Sequence, residues 1–132
     1  YPEGTRSPDG RLYKGKTGVA RLALASGAPI VPLAVFNTYK AKGPFGIPWL
    51  DHPRIVVGQP LRFDELAWGV DDHDALRWVT DEVMAAIQAL SGQQYVDVYG
   101  GSVKRGAVSA EEVEARVMAR PGGGPQPEPD VH

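Results

Sequence analysis

Residues 17–36 read TGVARLALASGAPIVPLAVF, and this stretch decides which fold class we expect. Thr17 is a candidate N-cap and Gly27 lies just past the last periodic residue, so a short helix is predicted between them. The apolar run of residues 29–36 predicts a strand buried on both faces, although Pro32 cannot donate to a sheet ladder. This order predicts an α/β protein with a mostly parallel sheet and flanking helices, of which this chain supplies the later part.

A second, longer helix is predicted further along the chain. Residues 54–58 (RIVVG) predict a short strand, and the acidic stretch of residues 71–74 then offers N-cap candidates. Apolar residues then recur every three or four positions and predict one face of a helix that packs on the core: Leu76, Val79, Val83, Ile87 and Leu90. Gly92 marks the predicted end of this helix. His73 lies among three aspartates, and we interpret this group as helix capping rather than as a metal site.

The C-terminal part of the sequence has weaker patterns. Ser109 and Glu112 form a capping-box signature, which predicts a helix over residues 109–120 with little apolar area. Residues 121–132 are rich in glycine and proline, so we expect them to be disordered. We therefore divide the chain after residue 95, and residues 96–132 are expected to be a weakly structured tail.

Composition and charge exclude several classes of protein. The 132 residues contain no cysteine, which excludes disulfides, thiolate metal sites and a cysteine nucleophile. No apolar run approaches the roughly 18 residues that suggest a membrane span. Residues 1–50 carry seven bases against two acids, whereas the remaining residues carry seven bases against fourteen acids. A cationic segment on a mildly acidic chain indicates a local anionic ligand rather than a nucleic-acid surface.

One candidate for anion binding is the P-loop pattern G-x-x-x-x-G-K-T, which residues 10–17 match formally. In such a loop, backbone N–H groups cradle phosphates, Lys16 would reach their oxygens and Thr17 would hold magnesium. However, no strand is predicted directly before Gly10, as that motif requires. A nucleotide- or anion-binding module without catalysis remains the alternative function.

The other candidate is the stretch of residues 1–7, which reads YPEGTRS. The Arg6 guanidinium can donate two N–H groups to phosphate oxygens, and the Thr5 and Ser7 hydroxyls can add further donors. Gly4 allows a ligand to approach the backbone closely, and Glu3 can orient the guanidinium or a substrate hydroxyl.

Three further cations lie near this stretch in the sequence. Arg21 falls near the start of the predicted short helix, where backbone N–H groups already favour an anion. Lys14 and Lys16 are secondary candidates for phosphate binding.

Residues 1–7 resemble the third sequence block of the glycerolipid acyltransferases, specifically the 1-acylglycerol-3-phosphate acyltransferases. Residues 14–24 (KGKTGVARLAL) are similar to the stretch that follows this block, and residues 30–34 (IVPLA) to the fourth block. The similarity covers about residues 1–95 and implies that they are the C-terminal part of an acyltransferase catalytic domain. The resemblance implies a glycerol-3-phosphate acyltransferase-like fold. It also implies that Glu3 and Arg6 belong to the site that binds the acceptor's glycerol phosphate, and that Arg21 binds the same phosphate.

The resemblance also implies a reaction. In this family, a lysolipid hydroxyl attacks an acyl thioester, and a histidine with an aspartate five residues later forms the catalytic pair. None of His52, His73 and His132 is followed by aspartate at that spacing. We therefore expect no catalytic residue in this chain, a catalytic pair upstream of Tyr1, and no activity from the chain alone.

Substrates and location follow from the same resemblance. The expected acceptor is 1-acylglycerol-3-phosphate, or a similar lysophosphatidate, and the reaction is a step of phospholipid synthesis. Glycerol 3-phosphate and other lysolipids are the alternative acceptors. Acyl-CoA or acyl carrier protein is the expected donor, as a co-substrate, with no metal or other cofactor and no nucleic acid. We expect the parent protein at the cytoplasmic face of the cell membrane, held peripherally or monotopically through N-terminal segments.

Overall fold

A computed structural model describes residues 1–37 and 52–130 and shows a mixed α/β architecture. In chain order, the elements are β1 (Leu12–Tyr13), α1 (Gly18–Ser26), β2 (Leu33–Phe36), β3 (Arg54–Val57), a 3-10 helix (Asp64–Gly69), α2 (His73–Ser91), β4 (Tyr95–Val96), α3 (Gly100–Lys104), α4 (Ala110–Ala115) and β5 (Val117–Met118). The predicted α/β class is therefore confirmed.

The strands form two small sheets. β4 lies in the centre of a three-stranded sheet, parallel to β1 and antiparallel to β5. β2 and β3 form a separate antiparallel pair. Among the described residues, one strand pair is thus parallel and two are antiparallel, so the prediction of a mostly parallel sheet is not confirmed.

The predicted helix ends agree with the structure. α1 lies between Thr17 and Gly27, and Gly27 takes the left-handed conformation with φ of 69°. α2 begins after Asp72, whose carboxylate accepts a hydrogen bond of 2.8 Å from the Ala75 N–H, and it ends at Gly92 with φ of 68°. Asp72 marks the start of α2 because its side-chain acceptor satisfies a free N–H, and the two glycines mark helix ends because glycine tolerates positive φ. Thr17 precedes α1 without a side-chain capping hydrogen bond.

The core lies between α2 and its neighbours. Leu76 and Val79 of α2 pack with Ala20 and Leu24 of α1 and with Leu66 of the 3-10 helix. A second group joins α2 to the three-stranded sheet through Leu12, Met84 and Tyr95. The periodic face of α2 is therefore a core face, as predicted, with Ile87 packed at its edge.

The strand predicted over residues 29–36 is shorter and less buried than expected. β2 begins at Leu33, and Ala34 is buried while Leu33 and Val35 are about half exposed. The cause is that β2 packs against α2 on one face only within the described residues. Pro32 precedes β2, where its missing N–H costs no ladder bond, and its carbonyl accepts the Gly58 N–H.

Residues beyond 95 are more structured than the predicted tail. Ser109 and Glu112 form the expected capping box, but α4 ends at Ala115, and β5 then pairs with β4. Val113 is buried against Tyr13 and Val96. These contacts give the segment a share of the apolar core that its own sequence pattern does not reveal.

The stretch predicted to be disordered also makes specific contacts where the structure describes it. Pro121 is fully buried, and the Trp78 indole N–H donates to the Gly124 carbonyl at 3.1 Å. Residues 131 and 132 lie outside the described part of the chain. Within the described part, no helix is long and apolar enough to cross a membrane.

Candidate functional site

The candidate site is a cleft of about 570 Å³ at one edge of the three-stranded sheet. β1 and β4 run parallel, with Leu12 opposite Tyr95 and Tyr13 opposite Val96. The chain therefore leaves both strands at the same edge, where α/β proteins commonly bind ligands. The segment that follows β4 forms one wall of the cleft, and the segment that follows β1 forms the other together with residues 3–5, which precede β1.

The two walls come from distant parts of the sequence. The N-terminal wall consists of Glu3, Gly4, Thr5, Lys16 and Thr17. The C-terminal wall consists of Tyr99, Gly101, Ser102 and Arg105. Four of the predicted site residues thus line one cleft.

Glu3 ties the N-terminal wall to β1. Its Oε2 accepts a hydrogen bond of 2.8 Å from the Tyr13 N–H. Burial raises the pKa of Glu3 above its ordinary value of 4.5, although the Tyr13 N–H, the chain's amino terminus and Lys104 favour the charged form. The carboxylate is therefore held in place, and no hydrogen bond to Oε1 occurs within residues 1–37 and 52–130.

Gly4 and Lys16 are in close contact. Gly4 has φ of 71°, and a Cβ atom there would lie 3.0 Å from Lys16 Cδ and 3.3 Å from its Nζ. The Lys16 N–H donates to the Pro2 carbonyl at 2.8 Å, which fixes the lysine backbone beside the same turn. Glycine is thus favoured here by the left-handed backbone, and the absence of a Cβ also leaves room for the Lys16 side chain.

Thr5 connects the two walls. Its Oγ1 accepts a hydrogen bond of 3.0 Å from Lys104 Nζ. Lys104 belongs to α3, the helix that also carries Gly101 and Ser102 of the C-terminal wall. This bond therefore brings a cation that does not itself line the cleft to the YPEGTRS stretch.

Other predicted site residues do not line the cleft. Ser7 Oγ accepts the Gly10 N–H at 2.9 Å, so this hydroxyl stabilises a turn. Lys14 lies 3.6 Å from Asp97 and stands over the Tyr99 ring, which partly offsets its charge. Arg6 is exposed, and its side chain has no hydrogen bond or ion pair within the described ranges.

Arg21 is also separate from the cleft. It lies on α1 and pairs with Asp71 at 3.6 Å, with both side chains largely exposed. The structure therefore brings together Glu3, Gly4, Thr5 and Lys16, whereas Arg21 has a carboxylate partner elsewhere.

The geometry contradicts the P-loop interpretation of residues 10–17. β1 lies inside the pattern rather than before it, and most of the backbone N–H groups of residues 10–17 already have partners within the chain. The bonds are Leu12 N–H to Gln94, Tyr13 N–H to Glu3, Lys14 N–H to Val98 and Lys16 N–H to Pro2. Donors that are used in this way cannot cradle phosphates.

The described residues hold no group of three or more histidine, cysteine, aspartate or glutamate side chains suited to a metal ion. His73 is exposed and its ring lies 3.4 Å from Asp74, while Asp72 caps α2. His52 is also exposed and does not line the cleft.

Sequence reasoning missed the whole C-terminal wall. Tyr99, Ser102, Lys104 and Arg105 lie in the segment predicted to be a tail, outside the family resemblance. The one available signal was the sequence GGSVKR directly after an apolar stretch, which combines glycines, a hydroxyl and two cations.

Replacing Glu3 by glutamine tests the burial of this carboxylate. A raised pKa means that protonation stabilises the fold below the unfolded-state pKa, and this stabilisation is lost as pH rises through the folded-state pKa. Glutamine keeps an acceptor for the Tyr13 N–H without the charge. We therefore expect E3Q to melt at a higher temperature than wild type at pH 7 and at a similar temperature near pH 4.5.

The check is thermal denaturation, followed by circular dichroism, between pH 4.5 and 7. Glu112→Gln is the matched control, and its effect on the melting temperature should have the opposite sign, because the hydrogen bond from the Ser109 N–H lowers the pKa of Glu112. That variant should lose stability at pH 7. A lower E3Q melting temperature at every pH would show that burial does not disfavour the Glu3 carboxylate.

Comparison with known proteins identifies the N-terminal part. Residues 1–36 match the family described as Acyltransferase. The chain is 51% identical over 49 residues to a 1-acyl-sn-glycerol-3-phosphate acyltransferase of Limnanthes alba, covering 36% of this chain and 17% of that protein. It is 40% identical over 65 residues to the chloroplastic 1-acyl-sn-glycerol-3-phosphate acyltransferase BAT2 of Brassica napus. This match covers 46% of this chain and 18% of that protein.

A bacterial relative gives a similar result. The 1-acyl-sn-glycerol-3-phosphate acyltransferase of Salmonella typhimurium is 50% identical over 38 residues, covering 29% of this chain and 16% of that protein. The matched part of the chain thus spans less than a fifth of each of these relatives. No solved structure matches the chain. The resemblance to 1-acyl-sn-glycerol-3-phosphate acyltransferases is therefore confirmed over this part of the chain, and residues 1–36 are similar to the Acyltransferase family.

Proposed function

We propose that the protein containing this chain transfers a fatty acyl group to 1-acylglycerol-3-phosphate, and that this chain binds the acceptor's phosphate. The observation that carries the proposal is the position of the YPEGTRS stretch on a cationic cleft. Glu3, Gly4 and Thr5 line that cleft together with Lys16, at the carboxyl ends of two parallel strands. The relatives whose names specify this acceptor support the same substrate class.

The chemistry assigns distinct tasks to the site residues. The acceptor hydroxyl attacks the thioester carbonyl carbon, the C–S bond breaks, and the hydroxyl proton passes through a base to the leaving thiolate. Glu3 Oε1 is available to accept a hydrogen bond from the acceptor and orient it. Arg6 is exposed beside Thr5 and is available to bind the phosphate when the acceptor enters.

The general base must come from outside these 132 residues. A histidine suits proton transfer near neutral pH, but no histidine of this chain precedes an aspartate by five positions. We propose that an H-x-x-x-x-D block upstream supplies the base, with acyl-CoA or acyl carrier protein as donor and no cofactor. In the complete domain, we propose that β1 and β4 contribute their parallel pair to a mostly parallel sheet.

The location of the acceptor suggests where the protein works. A lysophosphatidate with a long acyl chain resides in a membrane, so we propose that the protein acts at the cytoplasmic face of the cell membrane. The cationic cleft would then face the anionic surface of the lipid. Glycerol 3-phosphate and other lysolipids remain the alternative acceptors, since they offer the same or similar phosphate chemistry.

The acceptor's phosphate is the feature to test. Acyl transfer by the full-length protein is measured with 1-acylglycerol-3-phosphate and with monoacylglycerol, which lacks the phosphate. We expect the phosphorylated acceptor to be strongly preferred. Arg6→Ala should raise its KM at least about tenfold, because a charge-assisted hydrogen bond contributes about 1.5–3 kcal/mol.

Arg54→Ala is the matched control, since Arg54 is exposed on β3 and stacks on Phe36 rather than lining the cleft. Its KM should equal that of wild type. Equal rates with the two acceptors would contradict the proposed function, and an unchanged KM in Arg6→Ala would remove Arg6 from the site.

A further inference from the structure

Two cations at the C-terminal side of the cleft form no ion pair in the described part of the chain, although Lys104 is near enough to Glu3 to favour its charged form. Lys104 Nζ bonds only Thr5 Oγ1, and the Arg105 side chain makes one long contact, 3.5 Å, with Ser102 Oγ. Neither forms an ion pair within residues 1–37 and 52–130. By contrast, Arg11, Lys14 and Arg77 each have a carboxylate within 4 Å.

These cations face the YPEGTRS stretch for a structural reason. The parallel ladder of β1 and β4 continues through the Lys14 N–H, which donates to the Val98 carbonyl at 3.0 Å. The segment after β4 is thereby aligned with the segment that carries Lys16. Gly100 is buried against Thr5 and Tyr13, which seats α3 directly on the N-terminal wall.

The net positive charge around the cleft favours the binding of an anion. Lys16, Lys104 and Arg105 contribute three positive charges, and Glu3 contributes one negative charge when ionised. A net charge of this size complements a phosphate monoester, which carries close to two negative charges at pH 7. A phosphodiester carries only one and offers fewer free oxygens to the Arg105 guanidinium.

We propose that Lys104 and Arg105 bind the acceptor's phosphate together with Lys16, so that the C-terminal wall selects phosphate monoesters over phosphodiesters. This inference rests on the proposed function, because it assigns the phosphate of the acceptor to this cleft. It places two specificity-determining residues outside the segment that matches the acyltransferase family.

The first experiment measures binding to the 132-residue chain by titration calorimetry. The probes are glycerol 3-phosphate, a monoester, and glycerophosphocholine, a phosphodiester with the same glycerol. We expect wild type to bind the monoester at least tenfold more tightly. Lys104→Ala/Arg105→Ala should weaken monoester binding at least tenfold and abolish the preference.

The control is Arg54→Ala/Arg62→Ala, which removes the same charge from two exposed arginines that do not line the cleft. It should change the affinity less than twofold. Both cleft side chains are exposed, so the double variant should fold, and circular dichroism checks this. Lys104→Gln/Arg105→Gln repeats the test with polar side chains of closer length. Equal binding of the two probes, or no loss in either cleft variant, would overturn the proposal.

A second experiment separates this inference from the proposed function. Lys104→Ala/Arg105→Ala in the full-length protein should raise the KM for lysophosphatidate while kcat changes little. If Arg6→Ala raises that KM and the double variant does not, this inference is wrong and the proposed function stands. If the full-length protein transfers no acyl group while the chain still selects the monoester, the proposed function fails and the cleft assignment is retained.

Discussion

Arg77→Met is expected to lower the free energy of unfolding by about 2–3 kcal/mol, somewhat less than the roughly 3–5 kcal/mol for breaking a fully buried ion pair, because both side chains keep some exposure. Arg77 of α2 donates to Asp81 Oδ1 at 3.1 and 2.6 Å, and both side chains are largely buried. Its Nη1 also donates to the Gly15 carbonyl at 2.8 Å. Methionine fills a similar volume but leaves the carboxylate and the carbonyl without this donor.

The same substitution should also affect the cleft. Gly15 directly precedes Lys16, and it packs so closely on α2 that a Cβ would lie 2.9 Å from atoms of Met84 and Thr80. Arg77 thus holds the backbone of the N-terminal wall against the core. We expect weaker binding of glycerol 3-phosphate by Arg77→Met as well as lower stability.

Urea denaturation followed by circular dichroism measures the free energy of unfolding of Arg77→Met, and calorimetry measures its binding of glycerol 3-phosphate. Arg62→Met is the matched control, because Arg62 pairs with Asp64 at 3.6 Å on the exposed surface. Such pairs contribute only about 0–1 kcal/mol. If the two variants had the same unfolding free energy, Arg77 would not be the anchor of this wall.

Local signals in the sequence predicted the helix ends well. Thr17 and Gly27 bound α1, Asp72 and Gly92 bound α2, and Ser109 caps α4. Each of these signals acts within about four residues, because a cap satisfies N–H or carbonyl groups of the adjacent turn. The sequence alone is therefore sufficient to predict a helix end when the residues that determine it lie within one turn of it.

The parts that were missed depend on contacts between distant residues. The pairing of β1 with β4 and of β4 with β5 joins the two ends of the chain, and no short pattern specifies it. Val113 alone offers little apolar area, yet it is buried against Tyr13 and Val96. The segment after residue 95 was therefore predicted to be weakly structured.

The site shows the same limit. The YPEGTRS stretch indicated phosphate chemistry, and the structure places Glu3, Gly4 and Thr5 on one cleft. The sequence did not show that Ser7 stabilises a turn or that Arg21 pairs with Asp71. A hydroxyl or a guanidinium looks the same in a sequence whether its partner is a ligand or a neighbouring side chain.

Loss of the general base should have the largest effect on activity. General-base catalysis typically contributes about 10²–10⁴-fold to the rate, and this chain has no histidine with an aspartate five residues later. We expect the full-length protein to carry that pair upstream, and replacement of its histidine by alanine should reduce kcat by about this factor. Binding of glycerol 3-phosphate should be unchanged, because the cleft proposed to bind the phosphate lies in this chain.

The decisive measurement compares acyl transfer to lysophosphatidate by the 132-residue chain and by the full-length protein. Labelled acyl-CoA and acyl carrier protein are each supplied as donor, and phosphatidate is the product measured. The proposed function predicts phosphatidate from the full-length protein and none above background from the chain alone, although the chain still binds glycerol 3-phosphate. Transfer by the chain alone at the full-length rate would contradict the assignment of binding to this chain and of proton transfer to residues outside it.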